Sequence, residues 1–339
     1  MPNMNEGLIW MKRQSPARLT NAFKVWRSYQ KSKQTGVPQI SGMPLGISIE
    51  PTTSCNLRCP ECPSGLRSFT RPTGMLQEKV FTSVINELAL VLTNLTFYFQ
   101  GEPYLNPKFL EMVRYASDKN IFTSTSTNAH YLNDEQARQT VESGLDRLIV
   151  SIDGVSQETY EQYRIGGQLN KVIEGTKNVI AWKRKLKSRT PHVVFQFLVV
   201  RANEDDIPRL HQLAKEIGVD EVKLKTAQIY DYEHGSPLIP ENPKYSRYQK
   251  QANGLFKIKN QLLNQCWKMW SSSVITWDGK VVPCCFDKDA KHVMGDVTKQ
   301  SFAEIWNGEP YQQFRQSILR ARSEIEICKN CSEGLQVWA

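Results

Sequence analysis

Three cysteines, Cys55, Cys59 and Cys62, fall in one short segment, Glu50-Pro51-Thr52-Thr53-Ser54-Cys55-Asn56-Leu57-Arg58-Cys59-Pro60-Glu61-Cys62. Thiolates at C-x3-C-x2-C spacing can grip three corners of a four-iron cluster from a single loop. The fourth iron is then left without a protein ligand, which is what a chelating cofactor or substrate needs. A structural zinc site wants a closed set of four N/S ligands, and no histidine occurs before His130. The other five cysteines, Cys266, Cys284, Cys285, Cys328 and Cys331, lie far along the chain, with none between Cys62 and Cys266. Such grouping points to two separate metal sites rather than a disulfide framework.

These groups need elements to hold them. From Gly46 to Thr226 short β-rich runs alternate with helical patterns. The expected strands are Ile47–Glu50, Leu95–Phe99, Ile121–Ser126, Arg147–Ile152, Val193–Val200 and Glu221–Lys225. Amphipathic stretches such as Gln77–Leu92, Asn133–Ser143, Lys171–Leu186 and Asp205–Ile217 lie between them, with start signals at Asn133-Asp134-Glu135 and Asn203-Glu204-Asp205 and helix-ending glycines at Gly144 and Gly218. Alternation of this kind predicts a parallel sheet with right-handed crossovers. Periodicity leaves open whether six βα units form an open sheet or a partly closed barrel. In either case ligands belong at the carboxyl ends of the strands. Residues 228–265 read as an irregular bridge that ends in a polar helical stretch from Tyr245. Beyond it, Val274–Trp277 and Lys280–Pro283 read as a β-hairpin turning at Asp278-Gly279, followed by helices over Ser301–Asn307 and Tyr311–Ala321.

The cysteine segment resembles the cluster-binding loop of the radical S-adenosylmethionine (SAM) superfamily, and further matches recur in order. Gln100-Gly101-Glu102-Pro103 after the second strand resembles the family's Gly-Glu-Pro motif. Ser126-Thr127-Asn128-Ala129 after the third resembles its Thr-Asn-Gly segment, and Ser151-Ile152-Asp153-Gly154 after the fourth resembles Ser-x-Asp-Gly. The resemblance implies that Gly101, Glu102 and Pro103 meet the SAM amino group through backbone, that Asn128, Ser151 and Asp153 also belong to the SAM site, with Ser151 and Asp153 near the ribose, and that Arg164 pairs with the SAM carboxylate. A rigid guanidinium fork suits that last task. It also implies an α/β fold, a partial (β/α)6 TIM-like barrel, a [4Fe–4S] cluster bound with SAM, and a 5′-deoxyadenosyl radical that abstracts hydrogen from a substrate. An external one-electron donor of flavodoxin or ferredoxin type is implied as well.

The second cysteine group resembles the SPASM/twitch extension found behind many such barrels. The resemblance implies one auxiliary [4Fe–4S] cluster held by Cys266, Cys284, Cys328 and Cys331, since four thiolates saturate one cluster. Cys285 is then spare, and exchange of its role with Cys284 stays open, as does a zinc ribbon of the same four thiolates. Asp287, just after the pair, is a conceivable proton acceptor. The expected organisation is a basic arm (1–44), a radical SAM core (45–227), the bridge (228–265) and a small cysteine-rich domain (266–339).

Hydrophobic residues at 40% and charged residues at 23% describe an ordinary globular composition. No apolar run approaches the roughly 20 residues that span a bilayer, and no secretory pattern opens the chain, so a cytoplasmic location is expected. The net charge of +9 is uneven. No acidic residue lies between Glu6 and Glu50, where Lys12, Arg13, Arg18, Lys24, Arg27, Lys31 and Lys33 all fall. Leu19, Ala22, Phe23 and Trp26 share one helical face there, expected to pack on the body with a solvated basic side. Docking to an acidic peptide, nucleic acid or a membrane is the other use of such an arm. The reading that follows is an oxidoreductase or maturase, with small-molecule oxidation or dehydrogenation slightly ahead of peptide or protein maturation. A non-catalytic metal protein that binds nucleic acid is the rival from another class.

Overall fold

Short β-branched runs form six strands close to where the sequence places them. They are β1 (Gly46–Ile49), β2 (Asn94–Phe97), β3 (Phe122–Thr127), β4 (Arg147–Ser151), β5 (His192–Val199) and β6 (Glu221–Thr226) in a computed structural model that describes residues 4–334. Pairing is parallel between β1 and β2, between β4 and β5 and between β5 and β6. All six residues of β3 are buried, as expected where a parallel strand is covered on both faces. Helices follow the strands: Glu78–Leu88, Phe109–Asp118, Asp134–Glu142, Leu169–Lys185 and Ile207–Ile217. Asn133 caps one of them by accepting the Gln136 N–H at 2.9 Å.

Two further strands form an antiparallel hairpin, β7 (Tyr248–Lys250) with β8 (Phe256–Ile258). This corrects the expected helical stretch from Tyr245. The Tyr248 ring is buried, and its hydroxyl both accepts the Ile229 N–H (2.8 Å) and donates to the Ile229 carbonyl (3.1 Å), which fixes an extended backbone. Asn203 is a second correction. It caps no α-helix but lies in a 3-10 turn, where its amide accepts the Val200 N–H and donates to the Asp153 and Leu198 carbonyls.

The expected C-terminal hairpin is present as β9 (Ser272–Ile275) and β10 (Lys280–Val282), followed by β11 (Gly295–Asp296). Unforeseen is the parallel pairing of β9 with β1, Gly46 opposite Ser272. The strand order is therefore β11-β10-β9-β1-β2-β3-β4-β5-β6. The fold is α/β, a partial (β/α)6 TIM-like barrel with a small C-terminal cysteine-rich domain. Residues 335–339 of that domain, like 1–3 of the arm, lie outside the described residues. The chain divides into two compact units, one of Met1–Ser54, Phe69–Ser124 and Leu262–Ala339, the other of Cys55–Ser68 and Thr125–Gln261.

The arm forms helices Met4–Lys12 and Pro16–Thr35, but the second one is turned the other way from expectation. Arg18, Asn21, Val25, Ser28, Tyr29 and Ser32 are buried, while Leu19 and Phe23 are 56% and 59% exposed. The reason is hydrogen bonding. Arg18 donates to the Ala89 (2.8 Å) and Lys119 (3.0 Å) carbonyls and to those of Arg13 and Asn120, and so satisfies oxygens left over at two helix ends. Asn21 exchanges two bonds with the Met43 backbone, both 2.9 Å. Tyr29 packs 5.3 Å from the rings of both Trp267 and Trp270.

Candidate functional site

In the second unit the cysteine loop leaves β1 and folds over an apolar floor. Leu57 and Cys59 are buried in one cluster with Tyr163, Val200, Ala227, Ile229, Ile239 and Tyr248, and Cys55 and Cys62 pack against it. Half of that floor comes from the segment expected to be a mere bridge. Glu61 accepts the Tyr230 N–H at 2.9 Å, and the Arg58 N–H bonds to the Ile165 carbonyl at 3.0 Å, so the loop is tied down on two sides. Gly65 is required where the short helix Pro63–Leu66 passes the loop: a β-carbon there would stand 2.6 Å from the Cys59 nitrogen.

Two of the expected SAM residues, Asn128 and Arg164, approach these sulfurs. Asn128 donates to Asn56 Oδ1 at 2.8 Å and approaches Cys55 Sγ at 3.9 Å. Arg164 Nη1 stands 3.7 Å from Cys59 Sγ, while its Nε donates to Asp153 at 2.5 Å. Asp153 is fully buried and takes the Leu198 N–H on its other oxygen at 2.7 Å. The geometry thus makes Asp153 the anchor of Arg164. Burial pushes the Asp153 carboxyl up from its ordinary value, against the pull of the guanidinium and the Leu198 N–H. Burial alone would lower Arg164, but the charges of Asp153 and Cys59 hold it well above its ordinary value. Ser151 is buried with its hydroxyl 3.3 Å from that of Ser126. Ala129, where the resemblance has glycine, takes a left-handed backbone with φ 62. Sulfur donors in an apolar pocket with charged and amide donors alongside fit a cluster of three thiolates, since such neighbours tune iron–sulfur sites.

In the first unit Gly101 has φ 74, and a β-carbon on it would lie 2.2 Å from the Thr52 carbonyl and 2.8 Å from that of Ser54. The Glu102 N–H bonds to Ser54 O at 2.8 Å. The Gly-Glu-Pro backbone is therefore pressed on the two residues that lead into Cys55, and the buried Glu102 and Pro103 open a 3-10 turn. Sequence reasoning missed Glu50, which ends the approach to this turn. Its carboxylate is fully buried, meets Arg71 with both oxygens (2.9 and 2.6 Å) and accepts the Trp277 N–H at 3.2 Å.

The same unit brings Cys266, Cys284, Cys328 and Cys331 to the wall of one cavity. Cys285 does not line it and is exposed. Arg322, buried and also missed in the sequence, donates to Cys331 Sγ at 3.3 Å and to the Gln265 (2.7 Å) and Glu333 (2.6 Å) carbonyls. Four cysteines and a guanidinium lining one cavity fit an iron–sulfur cluster. Asp287 is buried with both oxygens occupied, by the Lys291 N–H (2.8 Å) and the His292 N–H (2.9 Å).

Residues 49–223, just over half of the chain, match the radical SAM superfamily, and 266–332 match an iron–sulfur cluster-binding domain, SPASM. The chain belongs to the radical SAM superfamily and carries a SPASM domain; it is an enzyme that binds a [4Fe–4S] cluster with SAM and has an auxiliary iron–sulfur domain. It is 25% identical over 314 residues to the tungsten-containing aldehyde ferredoxin oxidoreductase cofactor-modifying protein of Pyrococcus furiosus, covering 84% of this chain and 86% of that one. It is 24% identical over 318 residues to the PqqA peptide cyclase of Gluconobacter oxydans, with coverage of 87% and 84%. In fold it is similar to Streptococcus suis SuiB bound to the precursor peptide SuiA, with a TM-score of 0.63 at 14% identity over 91% of this chain and 74% of that one.

Proposed function

We propose that this enzyme oxidises its substrate by hydrogen-atom abstraction, with Cys55, Cys59 and Cys62 holding the SAM cluster and Cys266, Cys284, Cys328 and Cys331 holding one auxiliary [4Fe–4S] cluster. When bound, these groups supply reductive cleavage of SAM to the 5′-deoxyadenosyl radical and, at the auxiliary site, a sink for one electron. The observation that supports the reading is that all four C-terminal cysteines line one cavity; in this reading every one of those thiolates is a cluster ligand, and substrate has no cluster position to occupy. The protein's own part is to hold, orient and exclude water. Asn128, Ser151 and Arg164 are the second unit's SAM contacts in this account. Asp153 positions Arg164, and the backbone of Gly101-Glu102-Pro103 serves the SAM amino group. Asp287, with both oxygens taken, holds the turn after the cysteine pair. An electron carrier of flavodoxin or ferredoxin type delivers the initiating electron.

Small-molecule oxidation or dehydrogenation is the favoured branch because the cysteines suffice for one auxiliary cluster and not two. A second branch, maturation of a peptide or cofactor, is supported by similarity to the peptide cyclase and the cofactor-modifying protein. Anaerobic reconstitution tests the cluster assignment common to both. Wild type should bind about eight irons per chain, and Cys328→Ala about four, with 5′-deoxyadenosine still formed from SAM and dithionite. An unaltered iron count in Cys328→Ala would refute the auxiliary assignment. Equal iron loss in Cys284→Ala and retention in Cys285→Ala is the matching expectation for the pair.

A further inference from the structure

The first half of helix Pro16–Thr35 exposes an apolar stripe that the helix does not need for packing. Its polar residues already bind the body, through Arg18, Asn21 and Ser32. Leu19 (56% exposed), Phe23 (59%) and Trp26 (37%) stand at i, i+4 and i+7 and form one stripe along the helix, with the Phe23 and Trp26 rings stacked 6.0 Å apart. Lys24, Arg27 and Lys31 are exposed beside the stripe, and Lys33 flanks it from the other side, over the Tyr29 ring. Among the described residues no ion pair engages Lys24, Arg27 or Lys31. Exposed apolar surface rimmed by charge marks an interaction site.

We propose that this face docks the enzyme on the surface of an anionic phospholipid bilayer, with Leu19, Phe23 and Trp26 in the acyl boundary and Lys24, Arg27 and Lys31 among the headgroups. An aromatic and leucine stripe flanked by lysine and arginine is the make-up of helices that lie in the interface plane. Charge selects the occupant. A second copy of the chain would bring one acid-free basic segment against another, since no carboxylate lies between Glu6 and Glu50. Nucleic acid would match the lysines and arginines but leave the apolar stripe against phosphate. No helix among the described residues is long and apolar enough to cross a membrane, so attachment is peripheral. Nothing in this inference depends on the reaction or on the cluster assignments.

The test is co-sedimentation of the full-length, cluster-loaded protein with phosphatidylglycerol–phosphatidylcholine vesicles and with pure phosphatidylcholine vesicles. Binding should be at least tenfold tighter to the anionic vesicles and should weaken with added salt. Phe23→Ser/Trp26→Ser should lose binding at least tenfold, and Lys24→Gln/Arg27→Gln/Lys31→Gln should lose the preference for anionic lipid. All of these side chains are solvent-exposed, so both variants should keep wild-type iron content and 5′-deoxyadenosine formation. Equal binding by wild type and the Phe23/Trp26 variant, or no sedimentation of wild type with anionic vesicles, overturns the proposal. Lipid-free self-association that the Phe23/Trp26 variant abolishes, without vesicle binding, overturns it in favour of a second copy.

Discussion

Arg322 sets a buried positive charge against the sulfur of Cys331. In the proposed assignment Cys331 is a cluster ligand, and a guanidinium that donates to it favours the more negative, reduced state and so raises the reduction potential of the auxiliary site. Arg322→Met is expected to lower that midpoint potential by about 60 mV or more, a tenfold shift for one electron, as read by an EPR-monitored redox titration at unchanged iron content. An unmoved potential would reduce Arg322 to a structural residue. His130 makes a different prediction. Its Nδ1 donates to the Asn128 carbonyl (2.9 Å) and its Nε2 accepts the Gln168 N–H (2.8 Å), and burial holds its pKa below the ordinary 6.5. The fold therefore wants the neutral ring, and its contribution is full above pH 6.5. As pH falls through that value the unfolded chain takes up a proton that the folded chain refuses, and stability drops. Urea unfolding at pH 7.5 and 5.5 should show a larger loss for wild type than for His130→Gln. At this scale the cysteine triplet could be singled out because three thiols closely spaced in one segment stand out in the sequence. Arg322 and Glu50 were not, because a lone charged residue has no local pattern and its partners are distant in sequence.

At the scale of elements, Glu50 ties the end of β1 to the loop at Arg71 and to Trp277 beyond β9. Glu50→Ala leaves the Arg71 guanidinium, only 6% exposed, without its counter-charge. Breaking a buried pair on one side costs about 3–5 kcal/mol, so chemical denaturation should show a loss of about 3 kcal/mol, with the Glu50→Ala/Arg71→Ala pair well short of additive. Gly101→Ala should be at least as damaging, because its β-carbon would meet the Thr52 carbonyl and its backbone is left-handed. The six strands were legible from β-branched runs bounded by turn residues. The hairpin of β7 and β8 was not, since its lysines and glutamines mask alternation and its one buried anchor, Tyr248, is secured by the backbone of Ile229. The arm's period was legible, and its facing was not. Hydrophobic pattern ranks Leu19 and Phe23 as inward, whereas Arg18 turns the helix by finding carbonyl oxygens that no sequence pattern announces.

For the whole molecule, the order of motifs along the strands conveyed the fold class, and the grouping of the cysteines conveyed that an iron–sulfur cluster-binding domain follows the radical SAM one. The parallel pairing of β9 with β1 was beyond such reasoning, because nothing in either strand specifies a partner more than two hundred residues away. The central claim is that SAM is cleaved at Cys55, Cys59 and Cys62 while the C-terminal cysteines act elsewhere. Its most direct test is 5′-deoxyadenosine formation from SAM under anaerobic reduction by dithionite, compared across wild type, Cys59→Ala and Cys328→Ala. The account predicts product from wild type and Cys328→Ala and none from Cys59→Ala. Product from Cys59→Ala at the wild-type level, or none from fully iron-loaded wild type, would contradict it.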